Sequence, residues 1–197
     1  MKGRNILIVG VGGQGVVLAS NILAEAAMSA GFDVKKTDTL GMAKRGGSVV
    51  SHLRYSKSVA SPLIPAGEVD LLLAFEKLEA ARWAHFLKPD GIAVVNDLAS
   101  PPLSVTLGTD TYPVDADIAT IIRHITPSFN LVPGTATAEA LGNGKMVNTV
   151  LLGYAAAFLD IDATQLQSVI ESSLPPKLRQ SNAAAFAAGQ KLSPLKI

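Results

Sequence analysis

Residues 5–20, Asn-Ile-Leu-Ile-Val-Gly-Val-Gly-Gly-Gln-Gly-Val-Val-Leu-Ala-Ser, constrain the fold more than any other stretch of the chain. Ile6, Leu7, Ile8 and Val9 form an unbroken apolar run, which reads as a strand buried on both faces. Gly10, Gly12, Gly13 and Gly15 follow, and Val16 to Ala30 then carries a single charge, Glu25. That stretch reads as a helix packed deep against a sheet. Strand, glycine turn and helix make the first half of a βαβ unit. The glycines permit a tight turn and let a ligand or a neighbouring strand come close to the backbone. The helix aims its free N–H groups and the positive end of its dipole at the turn, which suits a phosphate or a carboxylate.

Gly10, Gly12 and Gly15 match G-x-G-x-x-G, a pattern that gains weight in this strand–turn–helix setting. A dinucleotide site also wants an acid at the end of the second strand. Asp38 is the candidate, with Lys35 and Lys36 beside it. A stand-alone NAD(P)- or FAD-binding oxidoreductase therefore stands as one alternative. Close helix–strand packing is the plainer use of the same glycines.

The chain has 197 residues, enough for one domain spanning 1–197 with a substantial core. Hydrophobic residues are 48% and charged residues 17%, so the chain reads as globular, with part of its surface available to be hidden against a partner. The net charge of +1 argues against a dedicated nucleic-acid binder. No apolar run reaches the ~18 residues of a membrane span, and the N-terminus leads directly into a strand, so a cytoplasmic protein is expected. There are no cysteines, which removes disulfides, thiolate zinc sites and cysteine-ligated iron–sulfur clusters from this chain. His52, His85 and His124 are scattered and read as packing or surface residues.

Gly31 caps the first helix, and Phe32 to Leu40 reads as the second strand. Lys44 and Arg45, followed by Gly46, Gly47 and Ser48, form a compact loop suited to an anion. From Asp33 to Lys57 six Lys or Arg face two Asp, a local net of +4. The loop directly follows a strand, where ligands of α/β folds gather. Val49–Tyr55, Val69–Phe75, Ile92–Asn96 and Thr111–Val114 read as further strands, with Pro89-Asp90-Gly91 a turn. Glu76–Leu87 and Asp115–His124 read as helices, the first with Glu76, Glu79 and Arg82 on its polar side. From Ala136 onward the chain reads as helices: Thr137–Leu141, Lys145–Leu159, Ala163–Ser172 and Ser181–Leu192, the last preceded by the breakers Pro175 and Pro176. The alternation predicts a three-layer α/β/α domain with a mostly parallel, Rossmann-like sheet and a helical C-terminal part. No G-x-S-x-G elbow, H-E-x-x-H helix or Walker lysine loop is present, so the chain has anion-binding apparatus without an evident catalytic engine.

Three stretches taken together resemble one family: Gly10-Val-Gly-Gly-Gln-Gly-Val16, Lys44-Arg-Gly-Gly-Ser-Val-Val-Ser-His-Leu-Arg54 and Leu141-Gly-Asn-Gly-Lys-Met-Val-Asn148. They are similar to the gamma subunit or gamma domain of 2-oxoacid:ferredoxin oxidoreductases, and within it to the small beta subunit of indolepyruvate ferredoxin oxidoreductase. The resemblance covers nearly the whole chain. Thr126 to Thr135, ahead of the third stretch, reads as an insertion. The family oxidatively decarboxylates 2-oxo acids to acyl-CoA thioesters and passes two electrons to ferredoxin.

The resemblance implies a complex using thiamine diphosphate, magnesium, iron–sulfur clusters and CoA, with none of these bound by this chain alone. The partner is a larger subunit carrying the thiamine and the clusters; ferredoxin is met indirectly, and the isolated chain is open to forming a homodimer. The substrate is a 2-oxo acid, indolepyruvate or another arylpyruvate. By position, Gly12, Gly13 and Gln14 would line the active-site cleft, and Gly10 and Gly15 would belong with them to the cofactor-binding turn, Gly10 ending the strand. Lys44, Arg45, Gly46 and Gly47 would face CoA phosphates or a partner carboxylate. Ser48 and His52 would be structural, and Asn148 would cap or bridge helices. A free-standing interaction protein that kept the fold is the non-enzymatic alternative.

Overall fold

The computed structural model describes residues 3–40 and 46–196. Six strands form one sheet: β1 (Arg4–Val11), β2 (Asp33–Leu40), β3 (Ser48–Ser56), β4 (Val69–Ala74), β5 (Leu87–Asn96) and β6 (Phe129–Val132). Their order is β2-β3-β1-β4-β5-β6. β3 runs antiparallel to both its neighbours, and all other pairings are parallel. The reversal follows from chain economy: only seven residues separate β2 from β3, enough for an antiparallel return but too few for a parallel crossover.

The apolar run in β1 explains why it lies in the middle. Ile6, Leu7, Ile8 and Val9 are all fully buried. Ile6 and Ile8 join one core, while Leu7 and Val9 join the core on the opposite face. In β4, Leu71 and Leu73 face the first core, Leu72 and Ala74 the second. Each fully buried Leu, Ile or Val contributes roughly 1.5–3 kcal/mol.

The first face is covered by α1 (Val16–Ser29), α6 (Val147–Ala155), α7 (Ala163–Ser172) and α8 (Pro176–Gln190), and the second by α2 (Lys77–Trp83) and α4 (Asp115–Arg123). A one-turn helix, α3 (Leu103–Thr106), and α5 (Gly134–Ala140) complete the α-helices. Sequence and structure agree on Ala163–Ser172; of the two cap candidates, Asp162 and Thr164, the structure uses Asp162, whose carboxylate accepts from the N–H groups of Thr164 and Gln165.

Several sequence readings need correction. Thr111–Val114 is not a strand; Pro113 interrupts it, and the Tyr112 hydroxyl is held at Glu76 and at the Leu78 N–H. The sixth strand is instead Phe129–Val132, inside the stretch that read as an insertion; a four-residue strand between Pro127 and Pro133 carries too little pattern to announce itself. Pro89-Asp90-Gly91 lies within β5, where the pairing with β4 shifts register. The last helix begins at Pro176, which occupies its first turn, where a missing N–H costs nothing.

Glu76 and Glu79 are buried rather than solvated. Glu76 caps α2 by accepting the Glu79 N–H at 2.8 Å and also accepts the Ser100 N–H at 2.9 Å. Glu79 accepts the Ser48 hydroxyl at 2.5 Å and pairs with Arg82 at 2.6 Å.

His52 is buried on β3, where its Nδ1 accepts the Ile64 N–H at 3.2 Å. Burial lowers its pKa below the ordinary 6.5. The unfolded chain therefore takes up a proton that the folded chain refuses, and stability present above pH 6.5 is lost as pH falls below it. Urea midpoints at pH 7.5 and at about pH 5.5 should show this loss, and His52→Gln should flatten the slope between them. An equal slope in that variant would assign the effect elsewhere.

Candidate ligand cleft

The turn after β1 closes through its own side chain. Gln14 folds back so that its Oε1 accepts the Val11 N–H at 2.7 Å, and the Gln14 N–H reaches the Val11 carbonyl at 3.1 Å. Gly12 donates to the Gly47 carbonyl at 2.8 Å, which ties the turn to the start of β3. Gly10 lies beneath: a Cβ there would meet Gln14 Oε1 at 2.7 Å, Val16 Cγ2 at 2.8 Å and Phe75 Cβ at 2.9 Å. Its absent side chain serves packing. Gly13 and Gly15 have φ of 104° and 89°, the left-handed region that favours glycine.

Beyond this turn α1 starts bare. Gly15 is its N-cap, no side chain caps it, and its first turn holds no acid. The first N–H groups of the helix and the positive end of its dipole are thus left for another partner. They open on a cleft of about 470 Å³ lined by Gly13, Gln14, Gly15, Leu18, Leu98, Thr135, Glu139, Gly144, Lys145, Val147 and Asn148.

Asn148, in the first turn of α6, is 7% exposed. Its Oδ1 accepts the Thr149 N–H at 2.8 Å, so the amide nitrogen is the end that faces the turn. That Nδ2 would sit 3.3 Å from a Cβ on Gly15, and among the described residues it has no hydrogen-bond partner. Thr135 is held from behind by Asn96: the Thr135 N–H donates to Asn96 Oδ1 at 3.0 Å, and Asn96 Nδ2 donates to Thr135 Oγ1 at 2.8 Å. The Thr135 hydroxyl proton is left for the cleft. Lys145 is exposed at the rim and forms no ion pair among the described residues. The donors outweigh the one acid, Glu139, so the arrangement fits an anion.

The structure brings Gly13, Gln14 and Gly15 together at the cleft and places Gly10, Gly12 and Gly47 in the supporting turn. Gly46, exposed with φ of 79°, lies beside Gly47. Lys44 and Arg45 lie outside the described residues. The dinucleotide candidate Asp38 is occupied: it accepts the Ser51 hydroxyl at 2.5 Å and pairs with Lys36 at 2.6 Å. Among the described residues no group of three or more His, Asp or Glu could hold a metal, and no helix is long and apolar enough to cross a membrane.

The profile of the pyruvate ferredoxin/flavodoxin oxidoreductase family matches residues 5–192. The chain belongs to this family. It is 36% identical to the indolepyruvate oxidoreductase subunit IorB of Pyrococcus horikoshii, over 97% of this chain and 96% of the relative. The corresponding subunit of Archaeoglobus fulgidus is 37% identical over 94% of this chain and 92% of its own length. Among solved structures, the 2-oxoglutarate:ferredoxin oxidoreductase of Magnetococcus marinus superposes with a TM-score of 0.75 at 21% identity, covering 96% of this chain and 31% of that one. That likeness establishes the fold.

Family membership favours the oxidoreductase-subunit reading over a free-standing dinucleotide enzyme. Sequence reasoning missed Asn148, Lys145 and Thr135 as cleft residues. The signal was available for two of them, since Lys145 and Asn148 stand in the third of the stretches that carried the family resemblance.

Proposed function

We propose that this chain is the small, cluster-free subunit of an indolepyruvate:ferredoxin oxidoreductase, and that its cleft holds the phosphate-bearing end of CoA. The subunit role is supported by relatives of this name that match nearly end to end. The single observation that carries the CoA assignment is the convergence of an uncapped α1 start with the unpartnered, nearly buried amide of Asn148. A diphosphate offered there replaces water at donors the fold has already oriented. Lys44, Arg45, Gly46 and Gly47 belong to the same proposal as a second phosphate contact, Gly47 being tied to the turn by the Gly12–Gly47 hydrogen bond.

With no cysteine in the chain, the electron-carrying clusters reside on a partner, as does the thiamine diphosphate that supplies the carbanion chemistry. This chain's part is to bind and orient the thioester-forming substrate, acting as one unit over 1–197. A cytoplasmic location is part of this proposal.

The isolated chain should be colourless and inactive. Combined with its larger subunit it should support indolepyruvate-dependent reduction of a viologen dye only when CoA is supplied. Lys145→Ala should raise the CoA KM several-fold with kcat retained, as expected for loss of one partly screened charge contact. An unchanged CoA KM in Lys145→Ala would remove Lys145 from the site. Viologen reduction by the chain alone would overturn the subunit reading.

A further inference from the structure

Between β5 and α4 the chain leaves the body of the fold for residues 98–114. α3, the only regular element in this excursion, buries none of its residues. Leu103 and Leu107 are 71% and 68% exposed and stand four residues apart on one face. Val114 is 63% exposed, and Ile121, two turns further along the outer stripe of α4, is 46% exposed. A segment that contributes so little to the core would ordinarily be held loosely. This one is fastened at both ends by buried charged groups. Glu76 accepts from the Ser100 N–H and the Tyr112 hydroxyl, and the Lys77 N–H donates to the Leu98 carbonyl at 3.0 Å.

The Lys77 ammonium bridges Asp97 at 3.0 Å and Asp115 at 2.7 Å. Burial pulls its pKa down, but the bonds to Asp115 and Asp97 outweigh that and hold it above its ordinary value. Tyr112 packs on the second core, but Leu103, Leu107 and Val114 serve no internal packing, and exposed leucines on a fastened segment suit an external contact.

Charge narrows what it meets. From Leu98 to Ile121 the sequence holds three acids, Asp110, Asp115 and Asp117, and no lysine or arginine. Asp110 and Asp117 are exposed and form no ion pair among the described residues. Position narrows it further, because the excursion begins at Leu98, which lines the cleft.

We propose that residues 98–121 form an acidic-rimmed apolar ridge that docks the larger, thiamine- and cluster-bearing subunit, through an apolar groove edged by lysine and arginine. This rests on the reading of the chain as a subunit.

The test is assembly of the chain with its larger subunit, measured as a Kd by surface binding. Leu103→Asp with Leu107→Asp should weaken the Kd at least tenfold, because a charge enters an apolar contact. The melting temperature should stay at the wild-type value, because α3 buries nothing. Leu107→Gln, milder, should give a smaller loss in the same direction. Met28→Asp, at another exposed position on α1, should leave the Kd alone. Asp110→Asn with Asp117→Asn should make the wild-type association less sensitive to salt. Wild-type Kd values in both leucine variants, with the two wild-type subunits assembling, would overturn the ridge and leave the subunit reading standing. Failure of the wild-type subunits to assemble would overturn both. Loss of homodimer in light scattering, with assembly intact, would show that a second copy covers the leucines and would overturn the proposal.

Discussion

Gly189→Ala will be the most destabilising single-methyl change in this chain, with Gly153→Ala close behind. A Cβ on Gly189 would lie 2.0 Å from the Val150 carbonyl oxygen, and one on Gly153 would lie 2.2 Å from the Phe186 oxygen. The two positions face each other across the α6–α8 contact, so the helices meet backbone to backbone at both. Neither obstacle is a side chain that can turn aside. The methyl must push the helices apart, which reopens the packing around Phe186 and Leu151, both fully buried. Alanine gains up to ~1 kcal/mol in helix propensity over glycine, but overpacking of this severity should cost roughly 3 kcal/mol or more. For a chain of this size that corresponds to a fall in Tm of about 6–12 °C. The double variant should lose less than the sum, because one displacement of α8 relieves both clashes. Gly144→Ala is the control: its nearest neighbour would be Glu139 Cγ at 3.5 Å, an ordinary contact, and its melt should match wild type. A wild-type melt for Gly189→Ala would mean that α6 and α8 do not approach in this way.

Those two glycines also show where the sequence falls silent. In α6 and α8 a glycine reads as a mild helix weakener; only the partner helix reveals that it is a point of contact. The parts of the fold with local causes were legible. The apolar run of β1, the glycine turn and the alanine-rich α1 specify a strand–turn–helix through burial and backbone freedom, and each lies where its chemistry predicts. β6 was not legible, because Phe129–Val132 is held by pairing with β5 rather than by any pattern of its own. Glu76 and Glu79 read as solvated because helical periodicity cannot know that Ser48, Ser100 and Tyr112 converge on them from 24 to 36 residues away.

The cleft divides along the same line. An anion-accepting turn could be foreseen from glycines opening a helix, since the dipole and the free N–H groups are properties of α1 itself. The direction of Gln14 could not. Its carbonyl is spent closing the turn, although a polar residue at a helix mouth reads as a ligand contact. The opposite wall comes from residues 139–148, more than a hundred positions along the chain, and only tertiary packing of α6 against α1 brings Asn148 over Gly15.

Asn148→Asp will separate binding from folding in that cleft. The substitution keeps the shape and keeps Oδ1, which accepts the Thr149 N–H and so holds the first turn of α6. A carboxylate in the first turn of a helix is electrostatically favoured, and α6 has no acid there, so the fold should tolerate it with a Tm near wild type. What changes is the end facing Gly15: the free amide donor becomes an acceptor carrying negative charge. If CoA phosphate oxygens sit against that end, the variant loses a charge-assisted hydrogen bond and gains a repulsion. Loss of the bond alone is about 1.5–3 kcal/mol, or roughly ten- to a hundredfold in affinity. In the assembled enzyme the CoA KM should rise by at least that much, and raised salt should relieve part of the defect by screening the repulsion. The 2-oxo acid KM should stay at its wild-type value. Asn148→Asp with an unaltered CoA KM would take the phosphate out of this cleft. A fall in Tm that tracks the loss of activity would make Asn148 a folding residue instead.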